Sequence, residues 1–246
     1  SGSSVGTEFK VNSYTTGGQF NPTVGMHIDG DFVIAWSSSN QDGDSEGVYA
    51  QRYDASGSSV GTEFKVNSYT TGGQSGPSVG MDSEGDFVVV WRSLNQDGNL
   101  YGVYAQRYNA SGAAQGSEFR VNTYTTFAQR NPSVAMNSDG DFVVTWDSGS
   151  YGSTGQDGSD YGVYAQRYDA SGIAQGSEFQ VNTYTTSNQG GAFYGEPAIA
   201  LDSDGDFVVT WGSGTFAQTQ DGSRQGIYAQ RYTASKSYYL PIINKP

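Results

Sequence analysis

Carboxylates, recurrent arginines and a single histidine are the residues able to do chemistry in this 246-residue chain, which has no cysteine. Without thiols, a disulfide framework and a thiolate metal site are both excluded. His27 stands beside an Asp-Gly turn, where later turns of the same kind carry Asp82, Asn137 and Asp202. One histidine with no cysteine nearby does not make a zinc site. No serine near it has a nucleophile-elbow context, so His27 reads as a turn residue. Asp202, Asp204 and Asp206 place carboxylates at alternate positions around Gly205. Calcium accepts such oxygens, but the glycine is misplaced for an EF-hand loop and no distal bidentate Glu follows. A hairpin turn with carboxylates bonded to local backbone is the competing reading. Cofactors are therefore expected to be none, with calcium possible.

Asp42, Asp97, Asp157 and Asp221 each lie in a Gln-Asp-Gly string, and Arg52, Arg107, Arg167 and Arg231 follow downstream. A buried Arg must be paired, so repeated Asp–Arg pairs are one reading. A repeated glycan site using these aspartates with Tyr49, Tyr104, Tyr164 and Tyr228 is the other. Glycoside hydrolysis needs paired carboxylates, and the chain has many. Yet the aspartates of fixed position recur, whereas an active site needs a constellation found in one place. On that ground no enzyme is expected.

The elements that position these residues come in four copies. Val-Asn begins at Val11, Val66, Val121 and Val181, and tryptophan follows at Trp36, Trp91, Trp146 and Trp211. Gln-Arg-Tyr follows at Gln51, Gln106, Gln166 and Gln230, and residues 1–19 are identical to residues 56–74. Such a period marks a repeat architecture. Each unit holds four runs rich in Val, Phe, Tyr and Trp, which suit strands, separated by Gly, Asp, Asn and Ser. In the third unit they are residues 132–136, 141–146, 162–168 and, reckoned from the preceding unit, a run like 118–124. The second run is apolar on both faces, as a strand in the middle of a blade stacked between two others must be. The fold expected is all-β: a four-bladed β-propeller with four antiparallel strands per blade. Phe32, Phe87, Phe142 and Phe207, with the four tryptophans, are its expected packing layer.

The chain opens on a lone fourth run, residues 8–14, and its last unit stops after the third. The N-terminal strand is therefore expected to complete the last blade and close the ring, which removes the free edge. The expected domain is 1–235, with blades at about 21–70, 76–125, 131–185 and 196–233 plus 8–14, followed by a tail at 236–246.

Three insertions break the period, and each carries aromatic side chains: Tyr151, then Phe193 and Tyr194, then Phe216. Because strands alternate in direction, all three loops emerge on one face, over the third and fourth blades. Exposed aromatics on loops of a rigid scaffold suit binding. Tyr151, Phe193, Tyr194 and Phe216, with Glu196 and Asp147 as polar partners, form the candidate ligand site. Surface loops also tolerate insertions at little cost.

The net charge of −13 opposes nucleic-acid binding, which needs clustered Lys and Arg, and opposes anionic membrane surfaces. No run reaches the roughly 18–20 apolar residues of a span, so no membrane insertion is expected. Gln-Asp-Gly-x-x-x-Gly-Val-Tyr-Ala-Gln-Arg-Tyr-Asp-Ala-Ser-Gly at residues 41–57 and 156–172, followed by Glu-Phe-x-Val-Asn-x-Tyr-Thr-Thr, resembles a repeat of large bacterial secreted and surface proteins that are adhesin-like. The resemblance implies a highly repetitive bacterial β-propeller and carries over no catalytic residue. It implies export to the cell surface or outside it, with the signal peptide not in this chain. The function expected is a non-catalytic extracellular binding or adhesion module, lectin-like in taking a glycan or surface protein. A structural or assembly propeller is the first alternative and a glycosidase-like hydrolase the second.

Overall fold

The computed structural model describes residues 2–4, 6–152, 154–191, 195–214, 220, 222 and 224–234. They form fifteen strands in four antiparallel sheets, a β-propeller-like all-β fold. The first sheet holds β1 (Gln19–Met26), β2 (Phe32–Ser39), β3 (Glu46–Tyr53) and β4 (Ser59–Lys65). The second holds β5 (Gln74–Met81), β6 (Phe87–Leu94), β7 (Tyr101–Tyr108) and β8 (Ala114–Arg120). The third holds β9 (Ala128–Met136), β10 (Phe142–Gly149), β11 (Tyr161–Tyr168) and the short β12 (Phe179–Gln180). The fourth holds β13 (Ala198–Leu201), β14 (Phe207–Ser213) and β15 (Gly226–Tyr232). Strands follow chain order within each sheet, as tight hairpins between short β-rich runs require.

Core side chains lie between sheets. Val33, Ala35, Val48 and Ala50 of the first sheet pack on Phe87, Val89 and Trp91 of the second. Val90, Val103 and Ala105 pack in turn on Phe142, Val144 and Trp146. β6 and β10 are thus covered on both faces, as their doubly apolar pattern demands. Phe87, Phe142 and Phe207 are buried as expected, but Phe32 is only half-buried. It belongs to the first sheet, and no preceding sheet covers it among the described residues.

Closure by the N-terminal strand is not seen. Residues 8–14 form no strand, and β15 has no outer neighbour among the described residues. The outer strands also begin earlier than the sequence suggests, at Ser59 and Ala114. They stop at the Val-Asn pair because the asparagine side chain takes over the ladder. Asn122 Oδ1 accepts from Val103 N at 2.7 Å, while its Nδ2 donates to the Tyr124 carbonyl at 2.8 Å. Asn67 and Asn182 do the same for Val48 N and Val163 N.

Candidate functional site

The inner strands begin on a bulge. Pairing of β1, β5 and β9 with the next strand slips at the Asn-Pro or Gly-Pro step. Asn21 (φ 52°), Gly76 (φ 65°) and Asn131 (φ 52°) adopt left-handed backbone there, a region glycine and asparagine reach most readily. Asn21, Gly76, Asn131 and Glu196, with the prolines after them and Arg92, line one cavity of about 640 Å³. Inner strands or strand leads of all four sheets border it. Its volume suits a small-molecule site.

At this cavity the repeats differ. The residue after the tryptophan is Ser37, Arg92, Asp147 and Gly212 in turn, and each of the first three reaches toward the next sheet. Ser37 Oγ accepts from Gly76 N at 3.1 Å. Arg92 is held by Ser75 Oγ at 3.1 Å and approaches Asn131 Oδ1 at 3.5 Å, and its guanidinium lies 5.3 Å from the centre of the Tyr101 ring. Asp147 is 0% exposed. Its Oδ2 accepts from Asn131 Nδ2 at 2.6 Å and from Gly191 N at 3.1 Å. Its Oδ1 faces Arg130 Nε at 3.5 Å, an ion pair too long for a hydrogen bond. Arg130 lies over the Tyr161 ring, 4.6 Å from its centre, and donates to the Tyr161 hydroxyl.

Burial pushes the Asp147 carboxyl up to about 6. Arg130, Asn131 and Gly191 N oppose that rise, and the Glu196 carboxylate adds to it by repulsion. The Glu196 charge thus reaches a buried carboxyl, Asp147, while Glu196 itself is exposed on the cavity wall. The insertion before the fourth sheet makes this burial possible. It is tied down by the Gln189–Ser213 bridge and by Gly190 N donating to the Gly212 carbonyl at 2.7 Å. A Cβ on Gly190 (φ +81°) would stand 3.3 Å from that of Asp147, so only glycine passes comfortably.

The candidate ligand residues fare unequally. Glu196 lines the cavity and its charge reaches Asp147, but the two are no exposed polar pair, since Asp147 is covered. Tyr151 is 72% exposed on the loop after β10. Phe193, Tyr194, Phe216 and Asp221 lie outside the described residues. Asn131, Arg130, Tyr161 and Arg92 are the site residues that sequence reasoning missed. The signal was present: the positions before proline and after tryptophan vary while their neighbours repeat.

The recurrent aspartates do something else. Asp42, Asp97 and Asp157 tuck beneath Gly47, Gly102 and Gly162, where a Cβ would come within 2.9 Å of the carboxylate. Tyr49, Tyr104 and Tyr164 beside them are buried, so they offer no aromatic face to a sugar. Burial and the Asp42 charge raise the Tyr49 hydroxyl to about 12. Nor do these aspartates pair with the recurrent arginines. Arg52 donates to the Ser111 and Ala110 carbonyls at 2.5 and 2.6 Å, and Arg107 to those of Ser171 and Ala170, in the next sheet at the other end of the strands. His27 is at that end too, 2.7 Å from the Ser83 carbonyl. In the acidic turn, Asp202 Oδ1 accepts from Asp204 N and Asp206 N at 2.9 and 3.0 Å. Among the described residues no group of three or more His, Asp or Glu side chains gathers as a metal site would, which leaves calcium unconfirmed.

No family model matches the chain, and no curated protein does. Solved structures do. An endo-arabinase from Bacteroides thetaiotaomicron aligns over 93% of this chain and 80% of its own, with TM-score 0.51 and 15% identity. An α-L-arabinanase from Penicillium chrysogenum, complexed with arabinobiose, aligns over 86% of this chain and 57% of its own, with TM-score 0.52 and 13% identity. An α-L-arabinofuranosidase from Fusarium graminearum aligns over 88% and 67%, with TM-score 0.55 and 15% identity. Likeness at such identity concerns the fold. It nevertheless overturns the expectation of a non-catalytic adhesion module and of no enzyme. That expectation rested on carboxylates recurring around the ring, and Asp147 and Glu196 do not recur. The chain shares its overall fold with these solved structures.

Proposed function

We propose that the chain is a glycosidase-like hydrolase acting on a glycan at the central cavity, outside the cell that makes it. One observation carries this reading: among the described residues, a departure from repeat symmetry sets the Glu196 carboxylate on the cavity wall, where its charge acts on the buried Asp147. Glycoside hydrolysis needs one carboxyl to hold a proton and another to act as carboxylate. Of the two carboxyls here, Asp147 is covered and Glu196 is exposed, so Glu196 alone can reach a sugar. Glu196, on the open wall, is the carboxylate that meets the sugar. Asp147, buried and raised to about 6, is a positioning residue that holds Asn131, the Gly191 turn and the charge beside Glu196. The arabinan-directed activities of proteins sharing the fold make furanose-containing glycans the first substrates to try. The finer architecture belongs to this reading: the four sheets are blades of one ring around the cavity. Incubation with arabinan, xylan and chromogenic α-L-arabinofuranosides tests it. Release of reducing sugar or aglycone is expected, and no turnover across that set removes the reading.

A further inference from the structure

Each internal junction between sheets has the same parts, and the two ends of the stack carry one half each. Where Val48 and Ala50, or Val103 and Ala105, are fully covered by the next sheet, the fourth sheet has Ile227 79% exposed and Ala229 exposed. Where Val79 and Phe87 are covered by the preceding sheet, the first sheet has Val24 60% and Met26 66% exposed, with Phe32 half-buried. One end shows the small aliphatic half of a junction, the other the large half.

The polar parts divide the same way. Arg52 and Arg107 cap the turn carbonyls of the following sheet. Arg231 has no following sheet among the described residues and pairs with Asp206 at 3.1 Å instead. The equivalent carbonyls of the first sheet are those of Ala55 and Ser56.

The outer strand is also half in place. Phe64 of β4 packs on Tyr108 of the next sheet, ring centres 5.4 Å apart, and the Tyr108 hydroxyl donates to the Val66 carbonyl at 3.3 Å. Phe9 packs on Tyr53 at 5.2 Å, and the Tyr53 hydroxyl donates to the Val11 carbonyl at 3.4 Å. Residues 8–14 therefore lie where the outer strand of a preceding sheet belongs. Asn12 Nδ2 donates to the Tyr14 carbonyl at 2.7 Å, as Asn67 Nδ2 does to that of Tyr69. Asn67 Oδ1 also holds Val48 N, and the position matching Val48 in the fourth sheet is Ile227.

We infer that the uncovered faces of the first and fourth sheets are partners in the same chain. The fourth sheet docks on the first, residues 8–14 join β15 as its outer strand, and Arg231 moves from Asp206 to the Ala55 and Ser56 carbonyls. A partner within the chain is favoured over a second copy because Asn21 and Glu196, one from each end, already border the same cavity. Docking completes the wall of that cavity beside Glu196. The inference stands whether or not the site hydrolyses glycans.

The absence of native cysteine gives a direct test. A Cβ on Gly25 would lie 3.6 Å from that of Met81, and one on Gly80 would lie 3.1 Å from that of Met136. The fourth-sheet position matching Gly25 is Ala200, and its partner across the seam is Met26. That spacing suits a disulfide, whose Cβ atoms are roughly 3.5–4.5 Å apart. Both positions are exposed in the open chain, so the substitutions leave its core intact. The double variant Met26→Cys/Ala200→Cys is oxidised at low protein concentration and run on a non-reducing gel beside each single variant. An intrachain disulfide in most molecules is expected, read as a faster monomer band and loss of free thiol. Interchain dimers instead, which would assign the faces to a second copy, overturn the inference. So do thiols that stay free.

Discussion

Asp147 and Glu196 owe their chemistry to neighbours more than to type. Asp147 is raised to about 6 because burial outweighs Arg130, Asn131 and Gly191 N. The sign follows from linkage: a carboxyl whose folded pKa lies above its unfolded value stabilises the fold fully below the unfolded pKa and loses that contribution as pH rises through the folded one. The Asp147 contribution is therefore complete below about pH 4 and gone above about pH 6, a change on the order of 3 kcal/mol. Urea denaturation of wild type and Asp147→Asn from pH 4 to 7 should show their stability difference drifting against wild type over that window. A pH-independent difference would mean that Asp147 titrates normally. Asn122 makes a second case. Its Oδ1 satisfies buried Val103 N, so Asn122→Leu should cost about 1–3 kcal/mol by stranding that donor. A loss under about 0.5 kcal/mol in chemical denaturation would show that the amide finds another partner.

At the scale of the strand and sheet, periodicity carried most of the information. The doubly apolar run around Trp146 announced a strand covered on both faces, and β10 is buried along its length. The Val-Asn step looked like strand interior because Val and Tyr flank it. Its role as a stop was hidden, since only coordinates reveal an asparagine side chain standing in for a ladder carbonyl. The cavity was hidden for a related reason. Asn-Pro and Gly-Pro read as strand starts, and the bulge at Asn131 depends on a left-handed residue whose neighbours in space come from other sheets. Asp147 and Glu196 were legible as polar candidates, but not that the Gly191 turn would cover one and leave the other open. Phe142→Ala should cost about 3–5 kcal/mol, because Phe142 is fully enclosed. If the first and fourth sheets meet in solution, Phe32→Ala should cost nearly as much. A loss below about half that of Phe142→Ala would leave Phe32 on an open face.

Across the molecule, four near-copies build a scaffold of nearly uniform interfaces, and the insertions lie at the end where the inner strands begin. The framework residues that repeat, among them Asp42, Asp97 and Asp157 under their glycines, hold loops in place. The residues that depart from the repeat gather around the cavity. Substituting a repeated framework residue should therefore change stability, whereas substituting a cavity residue should change turnover. Glu196 is the sharpest instance because it is exposed, lines the cavity and stands where other sheets carry Asn or Gly. Glu196→Gln keeps its shape and removes only its charge. The decisive measurement is the initial rate of sugar release from arabinan, or from the furanoside that wild type turns over fastest, for wild type and Glu196→Gln side by side, with melting temperatures to confirm equal folding. The expected result is measurable wild-type turnover that falls at least about a hundredfold in the variant, the scale of losing a general acid or base. Equal rates for the two proteins, or no turnover by either, would contradict the assignment of a hydrolytic site to the central cavity.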